Sequence, residues 1–275
     1  MTQTVETDAP SATARVKRLK WWREVLYVLA FYGIYTVVRN TQGSAGGVGG
    51  SATHHAFQHA KQTIRAEQWL HIYRERPVQH LFIHMRDGMV VGWTRFLEFW
   101  NLFYGTFHFI VTAVAMVLLY RRFPQRYPRW RNALACTTAL ALVGFAFYPL
   151  MPPRLLPHHY GFIDSLDEIG SLWTFDSGTM QKLSNQYAAM PSLHFAWSTW
   201  SVFVLWPMMR RWWSKALVAI YPVATLFAIV VTANHYVLDA AGGVVVFGVG
   251  YALGSAITRL MWPDGVAPRI VKERL

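Results

Sequence analysis

Three short segments carry polar side chains whose types and spacing suit proton transfer and nucleophilic attack. They are Pro149–Arg154, Ala189–His194 and Asn234–Asp239. Within the third segment, His235 and Asp239 are four residues apart, so on a helix the carboxylate can accept a proton from one ring nitrogen. Such a pairing fixes the tautomer of the histidine and leaves its other nitrogen free to act as a nucleophile or a base.

The other two segments supply groups that suit reaction at an anionic centre. His194 is placed to act as a general acid that protonates a leaving oxygen. Arg154 offers a planar, permanently charged guanidinium that matches a phosphate group. Ser192 and the backbone amides at the helix start after Pro191 would complete an anion-binding nest. These residue types therefore suit binding of an anionic group such as a phosphate, beside a histidine that can act as a nucleophile or a base.

The elements that must position these residues are membrane spans. Apolar residues make up 53% of the 275-residue chain, and a span needs about 20 mostly apolar residues to cross about 30 Å of hydrocarbon. Six segments qualify or nearly so: Trp22–Val38, Phe96–Tyr120, Asn132–Leu150, Leu193–Met209, Ala216–Ala233 and Val237–Leu260. The predicted fold class is an all-α, polytopic membrane helix bundle of about six transmembrane helices.

A mixed segment, Ala56–Met85, separates the first two predicted spans. Its apolar residues recur near helical spacing but are interrupted by several charges. This pattern is typical of helices that lie along a membrane surface or form a lid at headgroup level.

The basic residues predict the orientation of the bundle. The formal net charge is +12, and the positive charges cluster in short flanks between apolar segments rather than over a nucleic-acid-binding surface. Every second connection is basic, as in Arg15–Arg23, Arg121–Arg131, Arg210–Lys215 and the C-terminal tail. The positive-inside rule then predicts cytoplasmic termini and places all three polar segments at the extracytoplasmic face of a cell membrane. The long first connection contains seven basic residues, but the acidic residues Glu67, Glu75 and Asp87 reduce its net positive charge.

The predicted domain organisation is simple. Residues 1–21 form a polar, disordered cytoplasmic tail, residues 22–261 form a single membrane-embedded domain, and residues 262–275 form a second cytoplasmic tail. The basic lead before the first apolar run and Arg39 directly after it favour an uncleaved signal anchor over a cleaved signal peptide. The single Cys136 precludes an intramolecular disulfide.

The motifs Met-Pro-Ser-Leu-His at 190–194 and His-Tyr-Val-Leu-Asp at 235–239 resemble those of the type 2 phosphatidic acid phosphatase superfamily. Within that superfamily they look like those of the inositol phosphorylceramide synthase-like, inositolphosphotransferase branch. The resemblance runs from about Arg95 to Leu260. It implies a metal-independent lipid phosphatase or headgroup phosphotransferase that needs no cofactor. His235 would attack phosphorus and form a phosphohistidine, Asp239 would orient it, and His194 would protonate the leaving group.

The chain departs from the superfamily pattern in its phosphate-binding cations. The pattern has a lysine seven residues before an Arg-Pro pair and a Ser-Arg pair upstream of the second histidine. Here the order is Pro-Pro-Arg without that lysine, and Ala228 and Ile229 occupy the place of Ser-Arg. We expect Arg39 and Lys182 to assist Arg154 and Ser192. The expected partners are the lipid bilayer and a phospholipid or polyprenyl-phosphate substrate.

Two other functions remain open from the sequence. His194, His235 and Asp239 match a two-histidine, one-carboxylate metal set, as in a metal-dependent membrane enzyme. Alternatively, the polar segments would line the path of a non-enzymatic lipid carrier. His108, inside the second predicted span, is expected to be a packed or hydrogen-bonded polar residue rather than a catalyst.

Overall fold

The structure is a computed structural model that describes residues 19–44, 51–169 and 187–263. It is mostly helical. The longer helices are α1 (Trp21–Ser44), α2 (Ser51–Trp69), α3 (Glu75–Phe82), α4 (Thr94–Arg122), α5 (Tyr127–Phe147), α7 (Leu193–Leu205), α8 (Trp212–Val231) and α9 (Val237–Met261). A four-residue helix, α6 (Ser165–Glu168), lies in the loop after α5. The predicted tails fall largely outside the described residues.

Four helices among the described residues are long and apolar enough to cross a membrane, namely α4, α5, α8 and α9. The prediction of about six spans is therefore not confirmed. Helix α7 has 13 residues, which at about 1.5 Å per residue is shorter than the hydrocarbon layer. Helix α1 has 24 residues, but Arg23, Glu24 and Arg39 shorten its uncharged stretch.

The outer surfaces of the long helices support a lipid environment. Large apolar side chains are exposed along α8 and α9, for example Leu217, Val223, Val245 and Leu253. Exposed apolar stripes of this length would be unfavourable in water but match the hydrocarbon of a bilayer.

Small residues bring α5 and α9 into close backbone contact. A Cβ atom added at Gly254 would collide with the backbone of Ala133, and one added at Gly250 would collide with Thr137. Ala133 and Thr137 are fully buried. Glycine at these two positions therefore allows the helices to approach closely, as is common where van der Waals packing holds helices together within lipid.

One end of the bundle is covered by α2, α3 and the loop between α5 and α6. The main-chain N–H of Met151 donates to the carbonyl of Ala56 in α2 at 3.2 Å. The side-chain amide of Gln79 in α3 donates to the carbonyl of Ile163 at 2.9 Å and accepts from its N–H at 3.0 Å. The predicted helices between the first two spans are thus present, and buried polar contacts fix them to the bundle.

A two-stranded hairpin departs from the all-α prediction. Strands β1 (Ile83–Arg86) and β2 (Met89–Gly92) pair antiparallel around Asp87 and Gly88. These two turn residues have positive φ angles of 51° and 76°, as a tight two-residue hairpin turn requires. The Asp-Gly dipeptide at 87–88 is typical of such a turn, but the prediction for this segment considered only helical periodicity.

We expect Gly254→Ala to destabilise the protein by about 1–3 kcal/mol, because its new methyl group must displace the backbone of α5. Gly248, on the same helix, is the matched control because nothing lies within 4 Å of an added Cβ. Gly248→Ala should be neutral or stabilising by about 0.5–1 kcal/mol, since alanine favours helix over glycine. Thermal unfolding in detergent measures both variants, and equal shifts of the midpoint would contradict the packing described.

Candidate active site

Backbone hydrogen bonds bring the three polar segments together at the covered end of the bundle. Helices α5 and α8 end there, and α7 and α9 begin there. The N–H of Ser192 donates to the carbonyl of Asp239 at 2.9 Å, and the N–H of Arg154 donates to the carbonyl of Ala233 at 2.9 Å. The convergence predicted for these segments is thus seen in the structure.

The ring of His235 is oriented by two oxygen atoms. Its Nδ1 lies 2.9 Å from the carbonyl oxygen of Ala189 and 3.2 Å from Oδ2 of Asp239. A carbonyl and a carboxylate can only accept here, so Nδ1 carries the proton in the neutral ring. The Nε2 atom is buried and has no hydrogen-bond partner among the described residues. The free nitrogen is therefore the one with an available lone pair.

The carboxylate of Asp239 also holds the first turn of α9. Its Oδ2 accepts from the N–H of Tyr236 at 2.9 Å, which is one half of a capping box. Both side chains are buried, with exposures of 4% for His235 and 0% for Asp239. The pair is thus fixed to the helix start as well as to each other.

His194 lies next to His235, with ring centroids 5.5 Å apart and planes at 62°. Its ring stacks on Tyr104 at 4.1 Å and meets His108 edge-on at 4.3 Å. The Nδ1 atom of His194 is buried without a hydrogen-bond partner in the described part of the chain. The two catalytic candidates of the sequence are therefore neighbours, and α4 supplies the aromatic wall behind one of them.

Tyr104 and His108 are residues of this site that the sequence did not assign to it. They are one turn apart on α4, and Nδ1 of His108 lies 3.0 Å from the carbonyl of Tyr104. That contact agrees with the expected hydrogen-bonded role of His108. A narrow cleft between α4, α7 and α8 runs beside both residues and His194, and is lined further on by Phe103, Tyr221 and Ile229.

The guanidinium of Arg154 is held in place by two partners. Its Nη1 donates to Oδ2 of Asp164 at 2.6 Å, and its Nε donates to Oδ1 of Asn234 at 3.0 Å. The side chain is 11% exposed. Arg154 is thus anchored to the residue before His235, with part of its fork committed to protein oxygens.

The structure describes only one of the other three predicted phosphate ligands in full. Ser192 is the N-cap of α7, and its side chain accepts from the N–H of Phe195 at 3.4 Å. Arg39 belongs to α1, but its side chain falls outside the described part. Lys182 lies outside the described residues altogether. Their roles in phosphate binding stay predictions.

Glycine again permits the close approach that builds the site. A Cβ atom at Gly243, one turn after Asp239, would lie 2.6 Å from the carbonyl oxygen of Ser192. The Gly-Gly pair after the His235–Asp239 segment was a signal in the sequence for this approach.

No group of three or more histidine, cysteine, aspartate or glutamate side chains in the described ranges is arranged to hold a metal ion. The metal-dependent alternative therefore finds no donor set there. The residues that do come together are two imidazoles, a carboxylate and a nearby guanidinium, which suits transfer of an anionic group through a nucleophilic nitrogen.

A bundle with membrane-spanning helices and a paired-histidine site at one end suits a membrane enzyme that transfers an anionic group. The sequence matches the PAP2 superfamily over residues 61–253, and the chain belongs to that superfamily. Its members are phosphatases or phosphotransferases, and membership indicates a membrane enzyme of phosphatase type. Searches of curated proteins and of solved structures found no match. The resemblance inferred from the motifs is confirmed at the level of the superfamily.

We expect Asp239→Asn to lower turnover about 10²-fold or more with little change in KM, because the amide cannot stabilise positive charge on His235. The ring should keep its orientation through Ala189. Hydrolysis of a phosphorylated lipid in detergent micelles is the measurement. Asp167→Asn, at an exposed position of α6, is the control, and an Asp239→Asn variant as active as this control would contradict the pairing.

Proposed function

We propose that the protein is an integral membrane phosphoesterase or phosphotransferase that acts on a phosphorylated lipid through a phosphohistidine intermediate. The observation that carries the proposal is Nε2 of His235, which is buried beside His194 and has no hydrogen-bond partner in the described part of the chain. A lone pair fixed in this way suits attack on a bound substrate.

The reaction proceeds in two displacements. Nε2 of His235 attacks phosphorus while the bond from phosphorus to the leaving oxygen breaks, and His194 donates the proton which that oxygen takes up. Water or a lipid alcohol then gives its proton to His194 and attacks the phosphohistidine. The phosphorus–nitrogen bond breaks and His235 is regenerated. Asp239 stabilises the positive charge on the phosphorylated ring.

The phosphate oxygens are bound by charges and by the start of α7. Ser192 caps this helix, and first-turn amides such as those of Leu193 and His194 have no acceptors within their own helix. They favour an anion, as does the helix dipole. The remaining N–H groups of Arg154 contribute a second contact, with Arg39 and Lys182 completing the set.

The spelling of the two histidine motifs favours the inositolphosphotransferase-like branch within the superfamily. In that case a lipid alcohol accepts the phosphoryl-bearing headgroup in place of water. The missing superfamily lysine and arginine agree with a substrate whose headgroup makes further contacts of its own.

The proposed site opens at the extracytoplasmic face of the cell membrane, with both termini in the cytoplasm. Arg121 and Arg122 lie in the last turn of α4, and Arg210 and Arg211 follow α7, in both cases at the end that lies away from the site. Positive residues are retained on the cytoplasmic side during insertion, which supports an extracytoplasmic position for the opposite end.

We expect His235→Ala to abolish turnover of every phosphate ester, because no nucleophile remains. His194→Ala should lose about 10²-fold or more with an alkyl phosphate but much less with p-nitrophenyl phosphate, whose leaving group departs without a proton. Phosphate release and acid-labile labelling of the protein by radioactive substrate are the measurements.

His84→Ala, on the exposed edge of the hairpin, is the control for these histidine variants. The proposed function fails if both His235→Ala and His194→Ala release phosphate at the rate of this control. If His194→Ala slows the reaction of both substrates equally, His194 is not the general acid, but the proposed role of His235 as the nucleophile is not affected.

Sidedness is tested with single cysteines in a Cys136→Ala background. We expect His84→Cys to react with a membrane-impermeant maleimide in intact spheroplasts, since the hairpin precedes the site-facing end of α4. Arg122→Cys, at the opposite end of the same helix, should react only after permeabilisation. The reverse pattern of labelling would refute the proposed orientation.

A further inference from the structure

Two glutamates from the covering helices bind the first turn of α9. Oε1 of Glu75 accepts from the N–H of Val237 at 2.7 Å, and Oε1 of Glu67 accepts from the N–H of Leu238 at 2.7 Å. Both glutamates are fully buried. From the sequence, these residues appeared only as acidic charges that dilute a basic connection.

The three N–H groups bound in this way belong to consecutive residues, and these residues lie between His235 and Asp239 in the sequence. Asp239 takes the N–H of Tyr236, Glu75 takes the next and Glu67 takes the third. Helix N-termini ordinarily satisfy these amides with one capping side chain and water. Here carboxyl groups from α2, α3 and α9 itself accept hydrogen bonds from all three N–H groups of the turn that follows His235.

Neither glutamate forms an ion pair with another described residue. The described ionisable groups around Glu67 include Glu75, Asp239, Tyr73 and Tyr236. Arg76 acts on Tyr73, and His235 pairs with Asp239. Ionising both glutamates together with Asp239 in one buried cluster would be strongly unfavourable.

Burial and then the neighbouring Glu75 carboxyl raise the pKa of Glu67 from 4.5 to about 9. The same surroundings raise the pKa of Tyr73 to about 12. A side-chain hydrogen bond between Glu67 and Glu75 also raises the pKa of Glu67, and a proton on Oε2 leaves Oε1 of Glu67 free to accept from Leu238.

We propose that Glu67 and Glu75 act as a positioning clamp that fixes the start of α9 and thereby the orientation of His235 and Asp239. Glu67 takes part in this clamp as a neutral carboxylic acid. The clamp joins the two covering helices to the helix that carries the nucleophile. Neither glutamate touches the reacting atoms. The inference rests on the proposed function for its kinetic consequences, but its structural part can be tested without any substrate.

The first test is the pH dependence of thermal unfolding in detergent. The pKa of Glu67 in the folded protein lies above its ordinary value, so folding takes up a proton and this contribution to stability is complete only below about pH 4.5. It is lost progressively as the pH rises to about 9. We expect the unfolding midpoint of the wild-type protein to fall across this pH interval. Glu67→Gln keeps an oxygen acceptor but cannot ionise, so its unfolding midpoint should change much less with pH.

The second test separates positioning from general stability by kinetics. At neutral pH, Glu67→Gln should retain most of kcat and remain active at higher pH than the wild type. Glu67→Leu cannot accept from Leu238 and should lose about tenfold or more in kcat, with KM changed less than about twofold. Gln68→Leu, at the adjacent exposed position of α2, is the matched control.

Each outcome decides one part of the proposal. If the unfolding midpoints of wild type and Glu67→Gln depend on pH in the same way, Glu67 is not a neutral acid in the folded protein. If a folded Glu67→Leu variant keeps full kcat, Glu67 does not position the site. If Glu67→Leu does not fold, the Gln variant still decides through its pH profile. A wild-type protein without phosphorus chemistry would refute the proposed function, while the unfolding curves would continue to report on Glu67.

Discussion

The orientation of one imidazole is the constraint on which the site depends. Nδ1 of His235 is held between a main-chain carbonyl, that of Ala189, and a carboxylate, that of Asp239. The first comes from the segment before α7 and the second from α9, so a single ring joins two parts of the chain that are distant in sequence. Because both partners only accept, the proton stays on that side of the ring and the opposite nitrogen keeps its lone pair. The chemistry therefore follows from how two helix starts meet, and Gly243 is the residue that allows them to meet.

The sequence predicted the groups that repeat at helical spacing or sit in short motifs, and it predicted their convergence. His235 with Asp239, His194 after Pro191, and the superfamily itself were all readable, because each depends on residues that are close in the chain. The sequence did not reveal Tyr104 or Glu67, because their partners lie far along the chain. It also did not reveal Asp164, whose pairing with Arg154 depends on the conformation of the loop between them. The count of about six spans is not confirmed, since hydropathy measures apolar character but does not show that α7 is a helix of only 13 residues. Whether Arg39 and Lys182 join the site stays a prediction.

Arg154 illustrates how polar groups at a bundle end serve two purposes. Its side chain pairs with Asp164 and Asn234, and its main chain pairs with Ala233, so it organises the loop that leads into His235. A guanidinium has five N–H groups, and such an anchored fork loses little further freedom when an anion arrives. Such rigid placement is consistent with the proposed phosphate site, which contains fewer cations than the superfamily pattern.

The contacts between the covering helices and α9 also bear on the order in which the chain acquires its structure. Glu75 and Glu67 precede the amides they bind by 162 and 171 residues. During synthesis, α2 and α3 therefore leave the ribosome long before their partner turn exists. Their carboxyl groups can bind it only once α9 has formed, and the segment that completes these contacts is the one that carries His235. The cover over this end of the bundle and the proposed nucleophile are therefore completed by the same segment of the chain.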